Sequence, residues 1–288
     1  MLAAEPVQPS ERRTALRVAL LIWATCAFSA ALLLYASARW WLPVQASAQA
    51  PEVDGVFKET LMAVSIPFII VYTLLGWGVW RYAHRGQDSA GTTGPWSGEG
   101  RVRKVITLAV VFTFLVDAAL VFLGGRVWIR LHAAPPPDAL TVAVVAEQFG
   151  WRYHYPGPDG VLGRTVPALI SNRNPLGLDP NDPASRDDIV TRELHLPVGQ
   201  PVRLLIRSKD VLHSFFLPNM RFKQDAVPGR IIERWVTPTQ AGRFTVACAE
   251  LCGTGHYVMA SAVVVEPPEQ FRQWLRAQVP TWQLASAR

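Results

Sequence analysis

Between Cys248 and Met259 the chain reads Cys-Ala-Glu-Leu-Cys-Gly-Thr-Gly-His-Tyr-Val-Met, with ligating side chains at 248, 252, 256 and 259. Two thiols, an imidazole and a thioether form a donor set that selects copper or zinc over magnesium or calcium. A second imidazole, His213, stands upstream in Val211-Leu-His-Ser-Phe-Phe-Leu-Pro218. One early His followed by a tight loop of Cys, His and Met is the layout of a mononuclear electron-transfer copper site. Such a site uses one thiolate, two imidazoles and a weak axial Met. The present loop holds one thiolate more, which points to two metals.

Two facing thiolates can each bridge two coppers, with His213 and His256 capping one copper each. Met259 and a backbone carbonyl between the cysteines then supply the weak axial ligands. Sharing one electron over two rigidly held metals keeps bond-length changes small, so transfer should be fast at low driving force. A Cys-x3-Cys pair outside the cytoplasm can instead close as a disulfide, and zinc is a second alternative. The Met in register and the upstream His weigh against both, because structural zinc sites use Cys and His without Met.

Together with Asp210-Val-Leu-His-Ser-Phe-Phe-Leu-Pro218 and Lys223-Gln-Asp-Ala-Val-Pro-Gly-Arg230, the loop resembles subunit II of haem–copper cytochrome c oxidases. The resemblance runs from about the second hydrophobic segment to the end of the chain. It implies a dinuclear copper A centre of two copper ions, with Cys248, Cys252, His213, His256 and Met259 as side-chain ligands and the carbonyl of Glu250 as the oxygen ligand. It also implies that the Glu250 carboxylate holds magnesium or manganese at the boundary with subunit I. The expected function is that of the subunit where electrons enter a respiratory oxidase. Cytochrome c or another small periplasmic donor supplies them, and haem in subunit I receives them for reduction of oxygen to water. The chain is then part of an enzyme only through its complex, with subunit I and the other oxidase subunits as partners. A copper A subunit of a nitric oxide reductase and a membrane-anchored copper-binding or delivery module are the alternatives.

The resemblance also sharpens two departures. The family's aromatic strand begins with Gln-Trp, and that exposed Trp receives the electron from cytochrome c. Here the dipeptide is Gln148-Phe149, followed by Gly150-Trp151, which makes Phe149 and Trp151 the candidate contacts. An acid that attracts basic cytochromes farther along this strand is matched by His154. Both changes lead to the expectation of a less basic donor and a weak salt dependence, since electrostatic steering falls steeply with ionic strength. Retention of the docking shape for a familiar cytochrome is the simpler alternative.

The elements that must position these residues fall into a membrane part (1–133) and a periplasmic domain (134–288). Three apolar runs, 18–38, 61–80 and 105–125, match the roughly 20 residues that cross a bilayer core. Pro67 lies in the second run, where membrane helices tolerate a kink. Arg12, Arg13 and Arg17 precede the first run, and Arg81, Arg85, Arg101, Arg103 and Lys104 crowd the connection between the second and third. The positive-inside rule puts both in the cytoplasm and residues 126–288 outside. The chain is therefore expected to be a multi-pass protein of a bacterial inner membrane, in contact with lipid, with its copper domain on the periplasmic side.

The first run also fits a cleaved signal peptide, with Ala36-Ser-Ala38 or Ala46-Ser-Ala48 as the processing site. Its length and the following Trp40-Trp41 favour a retained helix. Cys26 reads as a packing residue there, and Asp117 as a polar contact to a neighbouring helix. The family's proton-channel acid is missing near Arg103, with Glu99 the nearest substitute.

Beyond the stiff Pro135-Pro-Pro137 spacer, about eight short strands are expected: 140–146, 151–155, 193–197, 201–207, 213–217, 231–236, 243–248 and 260–265. Residues 156–192, rich in Pro, Gly, Asn and Asp, read as a long surface loop, and 268–278 as a closing helix. Frequent turns between short strands argue a sandwich or barrel. The expected fold is thus a membrane-anchored α + β chain: transmembrane helices followed by a cupredoxin-like Greek-key β-barrel.

The net charge of +6 lies mostly beside the membrane runs and is no nucleic-acid signature. No Cys-x2-Cys-His haem motif, phosphate-binding glycine loop or hydrolytic triad signature occurs. His84, His132, His154 and His195 read as surface or interfacial residues.

Overall fold

The computed structural model describes residues 9–39, 42–82 and 99–286. Trp40, Trp41, His84 and Arg85 lie outside the described residues, as does most of the 81–104 connection. The chain divides into two compact units, residues 1–42 with 55–127 and residues 43–54 with 128–288.

The first unit is built from three helices, α1 (Pro9–Arg39), α2 (Ala50–Tyr82) and α3 (Glu99–Leu131). Each is long and apolar enough to cross a membrane, and the three expected spans fall inside them. Leu, Ile, Val and Phe side chains stay exposed all round, as expected of helices whose solvent is lipid. Pro67 lies within α2. Trp23 of α1 covers Gly76 of α2, where a Cβ would fall 2.3 Å from the indole nitrogen. Cys26 is buried, in keeping with a packing role, whereas Asp117 is exposed on α3.

The second unit consists of two five-stranded sheets. One has the order β3-β2-β1-β5-β8 and the other β4-β10-β9-β6-β7. In the first, β1 (Leu140–Glu147) pairs antiparallel with β2 (Gly150–Tyr155) and parallel with β5 (Val202–Ser208), while β3 (Ile189–Thr191) and β8 (Ile232–Val236) form the edges. In the second, β6 (His213–Leu217) pairs antiparallel with β7 (Phe222–Ala226) and β9 (Gly242–Cys248). There β10 (Ala260–Glu266) joins β9 to the edge strand β4 (Leu194–Pro197). The period of two along β5 sends Val202, Leu204 and Ile206 inward, to meet Phe215, Leu217, Val246 and Val263 from the other sheet. Successive strands change sheet between β3 and β4, β4 and β5, β5 and β6, β7 and β8, and β8 and β9. Helix α4 (Pro268–Ala277) closes one end with Phe271, and a short α5 (Thr281–Ser286) follows.

Three expectations change. Strand β7 carries the Lys223-Gln-Asp segment, whose alternation is too polar to announce a strand. Strand β3 lies inside the expected loop, recruited by pairing with Tyr153–Tyr155 rather than by its own propensity. His154 is buried rather than superficial, at 2% exposure. Its Nε2 lies 2.6 Å from Asp188, which also accepts from Gly163 N–H (2.7 Å), so the pair pins the base of the 156–188 loop. His195 is half-buried and stacked on Trp274, while His132 stacks on Trp128.

Residues 43–54 pack as part of this β unit. Ala46 N–H donates to Asn219 O and Ser47 Oγ to Met220 O, both at 2.8 Å. Asp54 receives Arg221 Nε (2.7 Å) and Nη2 (2.9 Å), with both side chains buried. Arg221 adopts a left-handed φ of 53° that aims this guanidinium.

Candidate metal centre

At one end of the second sheet, pairing of Phe215 with Cys248 sets the end of β9 beside the start of β6. His213 is the first residue of β6 and Cys248 the last of β9. The loop after Cys248 returns to β10, closed by Cys248 N–H to Met259 O (3.1 Å) and Ala249 N–H to Ser214 O (3.0 Å). Within it, Gly253 has a φ of 130°, a value costly for any residue with a Cβ. A Cβ at Gly255 would fall 2.5 Å from the Phe149 ring, so glycine lets the loop lie flat against that ring.

This loop brings every proposed ligand together. The Cys248 and Cys252 sulfurs lie 3.8 Å apart and form no disulfide. His213 Nδ1 is 4.0 Å from Cys248 Sγ, and His256 Nδ1 is 3.7 Å from Cys252 Sγ. Met259 Sδ is 3.7 Å from Cys252 Sγ, and the Glu250 carbonyl oxygen is 3.2 Å from Cys248 Sγ. His213, Cys248 and Cys252 converge as a potential metal cluster. Burial, with Cys248 beside it, pushes the Cys252 thiol up to about 11. Two thiolates this close and this sheltered repel unless a cation lies between them. A soft cation would displace their protons, because it is the thiolate that ligates. The donor set therefore fits copper.

Two residues that the motif reading left without a role hold the ligands in place. Asp210 Oδ1 lies 2.8 Å from His213 Nε2, and its Oδ2 accepts from Gln148 N–H at 2.7 Å. A carboxylate at Nε2 places the imidazole proton there and turns the Nδ1 lone pair toward Cys248, the usual support for a metal-ligating histidine. Burial opposes ionisation of Asp210, yet hydrogen bonds from His213, Gln148 and Val211 outweigh it and hold its carboxyl below the ordinary value. The Gln148 side chain donates to the Cys252 carbonyl at 2.6 Å. The Asp-x-x-His spacing was the available signal for Asp210. Gln148 stood out only as the first residue of the Gln148-Phe149 dipeptide, since its partner is remote in sequence.

The two aromatic candidates separate. Phe149 is 41% exposed, whereas Trp151 is 3% exposed and meets the His213 ring edge-on at 6.2 Å between centroids. Of the two, only Phe149 is exposed enough to touch a partner, while Trp151 packs inside on His213 and Phe215. Exposed Leu212, Leu251, Tyr257 and Val258 give the same end of the domain an apolar surface.

Three long apolar helices followed by a two-sheet domain with a Cys/His/Met loop at one end define a membrane-anchored protein of the cupredoxin kind. Residues 140–266 match the family model described as cytochrome c oxidase subunit II, periplasmic domain. The alternative cytochrome c oxidase subunit 2 of Bradyrhizobium diazoefficiens is 36% identical over 242 residues, covering 83% of this chain and 84% of that protein. Cytochrome c oxidase subunit 2 of Thermostichus vulcanus is 30% identical over 262 residues, 82% of this chain and 77% of that one. The crystal structure of the periplasmic domain of subunit II of cytochrome oxidase of Bradyrhizobium japonicum is 29% identical, with a TM-score of 0.38, covering 50% of this chain and 96% of that one. The chain belongs to the cytochrome c oxidase subunit II family.

Proposed function

We propose that this chain is the subunit through which electrons enter a membrane-bound haem–copper oxidase, where His213, Cys248, Cys252, His256, Met259 and the Glu250 carbonyl would hold two copper ions. The observation that carries this reading is the unbonded approach of the Cys248 and Cys252 sulfurs to 3.8 Å, with a histidine nitrogen beside each. Copper bound there supplies a one-electron redox centre.

The chain's own residues do the rest. Asp210 and Gln148 fix the ligands, and rigid ligands keep the reorganisation on gaining or losing an electron small. Burial of Cys252, Met259 and His213 keeps water from the sulfurs. Phe149 lies against the ligand loop at Gly253 and Gly255 and offers a flat apolar face to a soluble donor. Helices α1–α3 anchor the unit in a bacterial inner membrane, and the basic residues near their ends orient the β unit to the periplasm. The Glu250 carboxylate, half-buried beside the ligand loop, is free of the copper role given to its own carbonyl and suits a hard cation such as magnesium or manganese. The acceptor is haem in subunit I, where oxygen chemistry takes place.

Stopped-flow reduction of the assembled oxidase by cytochrome c tests this reading. Wild type should show rapid reduction at the copper chromophore before haem reduction. Cys252→Ser should lose that first phase, and a Cys252→Ser complex that keeps it would refute the assignment. Glu250→Gln should retain copper and lower manganese content.

A further inference from the structure

On the outer face of the first sheet, the 156–188 loop roofs a cavity of about 300 Å³ whose floor is basic. Strand β5 alternates, so Arg203, Leu205 and Arg207 point away from the core that Val202, Leu204 and Ile206 enter. Arg207, level with Val145 of β1, lies on the floor beside Lys209, with Arg230 contributed by the turn before β8. Pro167, Ile170 and Leu176 from the loop and Ile231 on the opposite side give the cavity apolar walls. Lys209 Nζ fastens the roof by donating to the Pro175 carbonyl.

The charges in this cavity do not balance. Among the described residues, no acid lines it and no carboxylate pairs with Arg207. Nη1 of Arg207 meets Thr165 Oγ1 at 3.0 Å, which leaves most of a guanidinium's five donors for another partner. Glu147, the partner of the neighbouring Lys209, also joins Arg152. Arg203, on the same face of β5, has Glu233. Burial alone holds the Arg207 pKa below its ordinary value, with no acid contributing. An arginine remains charged under such conditions, so the cavity presents a fixed, partly desolvated cation with a fork suited to a carboxylate or phosphate.

We propose that this cavity binds a small organic anion, its carboxylate or phosphate group on Arg207 and Arg230 and its apolar body against Pro167, Ile170 and Ile231. The cavity's volume suits a small ligand, and its basic floor beside apolar walls matches an anion with an apolar body. This inference is independent of copper binding at the Cys248–Met259 loop.

The test is isothermal titration of the purified full-length chain in detergent with phenyl phosphate, inorganic phosphate and phenol. Phenyl phosphate should bind saturably, and inorganic phosphate or phenol about tenfold more weakly or not at all. Arg207→Gln should weaken phenyl phosphate by about tenfold, and Arg230→Gln should weaken it too. Arg203→Gln, whose guanidinium is paired with Glu233, should have no effect. Unchanged far-UV circular dichroism shows that each variant is folded. If Arg207→Gln fails to fold, Arg230→Gln and Thr165→Val carry the test. No saturable binding by wild type, or equal binding by the Arg207 and Arg230 variants, overturns the proposal.

Discussion

The side-chain amide of Gln148 donates to the carbonyl oxygen of Cys252 at 2.6 Å, across a sequence separation of 104 residues. It joins the β1–β2 turn that presents Phe149 to the loop that carries the ligands. Gln148→Ala should therefore leave copper bound but cost about 1 kcal/mol of stability, the worth of one hydrogen bond. Reduction by the donor should slow as Phe149 loses its register on the loop. Chemical denaturation and stopped-flow reduction of the same preparation check both halves.

Asp210→Asn should be more costly to the metal. Losing the carboxylate at His213 Nε2 removes the group that fixes the imidazole. Copper affinity should fall by about 10–100-fold, the usual effect of losing such a support. Competition with a copper chelator measures this, and the variant should retain its full fold.

Asp54→Ala leaves Arg221 buried without its bidentate partner. Removing one member of a buried pair costs about 3–5 kcal/mol, so unfolding of the β unit should shift to markedly lower denaturant. A fragment beginning at residue 134 lacks Asp54 and should show the same deficit. Equal stability of wild type and variant would mean that residues 43–54 do not brace the domain.

Much of this was legible because chemistry fixes spacing. The Cys248, Cys252, His256, Met259 series can meet His213 in only a few ways, and apolar runs of span length announce α1–α3. The part that was not legible depends on contacts distant in sequence. Polar β7 exists because β6 offers it a paired edge, and β3 because β2 does. His154 looks like a surface residue in an alternating aromatic strand until Asp188 returns to meet it from 34 residues away. Trp151, by contrast, shares its period with the buried Tyr153 and Tyr155, so the strand's alternation already pointed it inward, where it packs on His213 and Phe215.

The charge around Phe149 bears on the donor. Glu147, at this end of β1, is neutralised by Lys209 and Arg152, and Arg192 lines the same hollow as Phe149. A basic cytochrome finds little net attraction here, so the reduction rate should depend weakly on ionic strength. Phe149→Ala should slow reduction by any donor that docks there. Stopped-flow measurements with acidic and basic cytochromes across a salt series provide the check. A steep salt dependence with a basic cytochrome, unaffected by Phe149→Ala, would place docking elsewhere.

The most direct measurement is copper content together with the electron paramagnetic resonance spectrum of the purified, oxidised full-length chain. Two coppers per chain should be found, with the hyperfine pattern of one electron shared between two copper nuclei, and Cys248→Ser or Cys252→Ser should abolish that pattern. One zinc with no copper, a single-copper spectrum, or a sharing pattern that survives the loss of either cysteine would contradict the account.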